Sequence, residues 1–83
     1  STALALAAAV PVADVSPEHL HHVTWVRAFD PGHPGVAIWL PVENPTGHPG
    51  VGDRCLDVMI DNDRRDEQLR QLRVMIRLAT CCG

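Results

Sequence analysis

Lysine is missing from this chain: all seven basic residues are arginines, set against ten acids, for a formal net charge of −3. An acidic chain without lysine lacks the basic footprint that nucleic-acid-binding domains usually carry, so nucleic acid is not an expected partner. Tyrosine is missing too, and the aromatics are Trp25, Phe29 and Trp39 alone. Serine occurs only at Ser1 and Ser16. Neither lies in a Gly-x-Ser-x-Gly turn, and there is no phosphate-cradling glycine loop or dinucleotide fingerprint. Nothing here assigns a catalytic activity, and no cofactor is expected.

Cysteine is scarce and odd in number, at Cys55, Cys81 and Cys82. That is no disulfide framework, and a reducing compartment is the default expectation. The longest apolar run, Ala3 to Ala13, is too short to cross a bilayer. It resembles the hydrophobic part of a secretory signal without the basic segment that precedes one.

What the chain does have is a pentapeptide used twice. Gly-His-Pro-Gly-Val occupies residues 32–36 and again 47–51. Proline fixes φ and glycine tolerates positive φ, so both copies read as similar turns. Between them lies Val36-Ala37-Ile38-Trp39-Leu40, apolar on both faces, which predicts a strand covered on both sides. Pro41 cannot donate to a ladder, so this strand ends at Leu40, bulges there or sits at an edge.

The rest supplies a small α+β domain. Residues 1–15 form an apolar arm, with two alternatives open. One is an alanine-rich helix over Thr2 to Ala9, and the other is an extended arm laying Val10, Val12 and Val15 on a sheet edge. Ser16-Pro17-Glu18 carries helix-start signals and predicts a turn of helix over 17–22. Val23 to Phe29 is β-branched and aromatic, as strands prefer. In Arg54 to Asp61, Leu56, Val58 and Ile60 alternate with polar residues, which predicts a half-buried antiparallel strand. Asp61 and Asn62 then cap a helix over 64–80. The expected architecture is a single domain over 1–83, with a sheet region over 16–63. It is a three-stranded, mainly antiparallel sheet with one long C-terminal helix packed on it. Ile38, Leu40, Leu56, Val58, Leu72 and Ile76 are its expected core.

Two function classes follow. The first is a non-catalytic assembly or interaction protein, a homo-oligomeric structural subunit or a small protein binding a larger partner. Leu69, Leu72, Ile76 and Ala79 make one helical face, and Val74, Met75 and Leu78 widen the apolar arc to roughly 200°, twice a usual surface stripe. Val74, Met75 and Leu78, flanked by Arg70, Arg73 and Arg77, are therefore the expected interface. Charge supports association: residues 1–63 hold two arginines against eight acids, and residues 64–83 hold five arginines against Asp66 and Glu67.

The second class is a zinc- or copper-binding protein, with His19, His21, His22, Cys81 and Cys82 as candidate ligands. His33 and His48 sit in the turns and read as surface side chains. No pair has the spacing of a structural zinc site, and Asp57, Asp61 and Asp63 lack the glycine and alternation of a calcium loop.

Overall fold

The computed structural model describes residues 9–33, 35–43 and 47–82. The expected helix or arm over the first eight residues lies outside them.

Strand β1 (Val10–Pro11) leads through a 3-10 turn (Val12–Asp14) to helix α1 (Pro17–His21). Strands β2 (Trp25–Phe29), β3 (Ala37–Pro41) and β4 (Cys55–Met59) follow. A second 3-10 turn (Asn62–Arg64) then opens helix α2 (Arg65–Cys82). The strands form one sheet in the order β1-β4-β2-β3.

This corrects the expected three-stranded antiparallel sheet. Only β2 and β3 are antiparallel; β4 runs parallel to β2, and β1 runs parallel to β4. Alternation in β4 reports a half-buried strand but carries no information on direction. Direction follows from which strand ends meet: the end of β3 and the start of β4 both lie at the start of β2, with Trp25 opposite Pro41 on one side and Cys55 on the other. The approach to β4 is pinned there. The Thr24 hydroxyl donates to Asp53 Oδ1 at 2.9 Å, and Arg54 Nε donates to the His22 carbonyl at 2.7 Å. For the arm, the extended alternative holds at Val10 and Pro11.

Helix α1 starts as its sequence directs, with a histidine in an unusual role. The Ser16 hydroxyl accepts from the His19 N–H, and His19 Nδ1 accepts from the Ser16 N–H at 3.0 Å. His19 thus fills the reciprocal place that Glu or Gln takes in a capping box. At the start of α2, Asp61 Oδ1 accepts from the Asp63 N–H at 2.9 Å, and buried Gln68 accepts from the Asp61 N–H at 2.6 Å.

The core lies between α2, α1 and one face of the sheet. Val26, Ala28, Leu40 and Val58 meet Leu69, Leu72, Ile76 and Ala79, with Leu20 of α1 closing one end. Leu40, Val58, Leu72 and Ile76 are buried as expected, whereas Ile38 and Leu56 are only partly so. Ile38 is half-buried because β3 is an edge strand. Leu20, almost fully buried, was not anticipated, since one leucine in a five-residue helix has no periodicity to reveal it.

The two pentapeptides do not make the same turn. Gly47 has φ +91° in the second, whereas Gly32 keeps an ordinary negative φ in the first. In the first, Asp30 organises the loop: Oδ1 accepts from the Gly32 N–H at 2.7 Å, and Oδ2 from the Asn62 N–H at 2.8 Å. In the second the carboxylate comes after the repeat, with Asp53 Oδ2 accepting from the Gly50 N–H at 2.7 Å. The flanking acids, and not the shared pentapeptide, shape each loop.

Candidate interaction surfaces

The strand register places two sets of side chains on opposite faces of the sheet. Even-numbered residues of β2 face the helices. Trp25, Arg27 and Phe29 face the other way, beside Ala37, Trp39 and Pro41 of β3 and Cys55, Asp57 and Met59 of β4. No described helix covers this second face.

At its centre Asp57, Arg27 and Trp39 form one row across three strands. Arg27 Nε donates to Asp57 Oδ1 at 2.8 Å and Nη2 to Oδ2 at 2.7 Å, a bidentate pair that fixes the guanidinium plane. The guanidinium carbon lies 5.4 Å from the Phe29 ring centre and 6.0 Å from that of Trp39. Trp39 packs edge-on to Trp25 at 6.4 Å. Trp25 and Phe29 are buried, but Trp39 remains 42% exposed. An exposed tryptophan beside an oriented arginine is the composition found at the energetic centres of protein interfaces.

Cys55 lies exposed on this face. Burial first, then the Asp53 and Asp57 carboxylates, push its thiol pKa up, with Arg27 opposing. That is the reverse of the environment a reactive thiolate needs.

Helix α2 presents the other surface. Val74 and Leu78 are about half exposed, on the side that carries Arg70, Arg73 and Arg77. Among the described residues none of these three arginines enters an ion pair; the pairs formed are Arg27–Asp57, Arg64–Glu67 and Arg65–Asp66. Met75 is half-buried against the core and lines a shallow groove with Val12 and Ala13.

The candidate metal ligands are not brought together. His19 caps α1, and His22 ends that helix with its N–H on the His19 carbonyl. His21 borders a groove with Glu43 and Thr80, and Cys81 is exposed at the end of α2. Among the described residues no group of three His, Cys, Asp or Glu side chains is placed to hold a metal ion; the Cys82 side chain lies outside them. No described helix is long and apolar enough to cross a membrane.

Comparison with protein-family models, curated proteins and solved structures found no match.

The tryptophan–arginine row escaped sequence reasoning although its signal was present. Arg27 interrupts the apolar face of β2, and Asp57 occupies the matching place in β4. The placement of β4 next to β2 sets them opposite each other.

Proposed function

We propose that this chain is a non-catalytic interaction protein that works by assembling, with copies of itself or with a larger protein. The observation that carries this reading is the exposed Trp39, set at a sheet edge with no further described strand, beside an arginine already oriented by Asp57. A lone exposed apolar side chain needs no explanation, but Trp39 is joined by Val36, itself 69% exposed, just before the same strand.

The outer side of α2 supports the same reading. Val74 and Leu78 offer apolar contact, and Arg70, Arg73 and Arg77 offer charge to an acidic surface such as the body of a neighbouring copy. The metal-binding alternative gains no donor set among the described residues and is not carried further.

Light scattering with an apolar dye tests the proposal. A defined oligomer, or a monomer that binds the dye, is expected. A monodisperse monomer at high micromolar concentration that binds no dye overturns the reading.

A further inference from the structure

The outer edge of β3 carries a donor and acceptor pattern that matches itself. In the ladder between β2 and β3, the Val42 N–H donates to the Thr24 carbonyl at 3.0 Å. On the other side of β2, the Trp25 N–H donates to the Arg54 carbonyl at 3.2 Å, and the Phe29 carbonyl accepts from the Ile60 N–H at 2.9 Å. Even-numbered residues of β2 therefore bond toward β3 and odd-numbered ones toward β4. With Val26 opposite Leu40 and Ala28 opposite Ile38, alternation in an antiparallel pair turns Ile38 and Leu40 inward. Ala37, Trp39 and Pro41 turn their backbone groups outward, where the sheet has no further described strand.

This explains Pro41: its missing N–H falls on the outer side, where the β2 ladder does not need it. The edge then offers two donors, on Ala37 and Trp39, and three acceptors, on Ala37, Trp39 and Pro41. Edge strands are commonly protected from association by charge or proline; Ala37–Pro41 contains no charged residue, and its proline, at the last position, leaves both the Ala37 and the Trp39 N–H groups outward.

We propose that the occupant of this edge is a second copy of the chain, its β3 paired antiparallel with Trp39 opposite the partner's Trp39. In that register the two Trp39 residues exchange N–H···O=C bonds, and each Ala37 N–H meets the partner's Pro41 carbonyl. Every outward donor is satisfied, and the N–H that proline lacks faces only the Ala37 carbonyl. The two-fold axis stands perpendicular to the sheet, so both α2 helices lie on one side. On the other side the row Asp57–Arg27–Trp39 continues into its two-fold copy in the partner. The pairing is isologous and closes at two copies. The opposite edge does not extend it, because β1 is two residues long and one of them is Pro11.

The inference rests on the association reading and names its surface; sedimentation combined with amide hydrogen exchange tests the two separately. We expect a dimer in which exchange at Ala37 and Trp39 slows about tenfold or more as concentration rises, while Ile38 and Leu40 are protected at every concentration. Ala37→Pro, which removes an outward donor without touching the β2 ladder, should weaken the dimer about tenfold or more, and His48→Ala, in an exposed loop, should leave it intact. A dimer with Ala37 and Trp39 exchanging freely, or one that Ala37→Pro leaves intact, overturns the β3 pairing while association stands. Concentration-independent protection of Ala37 and Trp39 assigns the edge to a strand of the same chain and also overturns it. A wild-type monomer that binds no apolar dye sinks both.

Discussion

The two faces of the sheet solve burial differently. The helix-covered face carries no polar side chain in β2 or β3: Val26, Ala28 and Leu40 rest against leucine and isoleucine from α2. The open face uses three aromatics and an ion pair, with Arg27 bonded to Asp57 and lying between the Phe29 and Trp39 rings. The first face holds the fold together by removing apolar area from water. The second carries the surface proposed for association, and altering it should cost less stability. Mutations should separate the two.

The largest effect belongs to the covered face. Leu72→Ala should cost about 3–5 kcal/mol, because a fully buried leucine leaves a cavity that helix and sheet cannot close. In a domain this small that approaches the whole stability, and urea denaturation would show it as a collapsed or missing transition. A Leu72→Ala protein melting like the parent would break the comparison at its root.

Asp57→Ala comes next. It leaves the Arg27 guanidinium without its bidentate partner on a face that is only partly solvent-exposed. A loss of about 1 kcal/mol is expected, discounted for screening by water at a pair whose arginine is 35% exposed. The deficit should shrink in high salt, as the wild-type pair is itself screened.

Trp39→Ala should cost no more than about 1 kcal/mol in the monomer, since it deletes a half-exposed ring and its contacts with Trp25 and Arg27. Its effect on association should be far larger than its effect on melting. A variant that melts well below Leu72→Ala would make the open face a second core.

Acid gives a smaller test, at the loop joining the faces. The backbone N–H groups of Gly32, then Asn62, hold the Asp30 carboxyl below its ordinary pKa. A carboxylate depressed in the folded state contributes stability above its unfolded pKa and loses it as pH falls through the folded value. Melting temperature should therefore decline as pH drops below about 4, and Asp30→Asn should flatten part of that decline. Equal slopes for the two proteins would remove Asp30 from the acid response. Smallest of all, His33→Ala and His48→Ala should each change stability by under about 1 kcal/mol, as substitutions at exposed loop positions do.

Much of the fold was legible before any coordinates. Ser16-Pro17-Glu18 announced α1, alternation announced β4, and the 3-4-3 spacing of Leu69, Leu72, Ile76 and Ala79 announced both α2 and its buried side. These are local signals, written in capping chemistry and in the periods of strand and helix. The apolar run Val36 to Leu40 announced a strand but misled about its cover, because hydrophobicity does not say whether a neighbour lies beside it. Sheet order, the parallel direction of β4, the addition of β1 and the meeting of Arg27 with Asp57 all depend on which strand lies next to which. A strand's own residues do not encode that. Tertiary structure decided it by setting β4 against β2 on the side away from β3, which left β3 at the edge with Trp39 exposed.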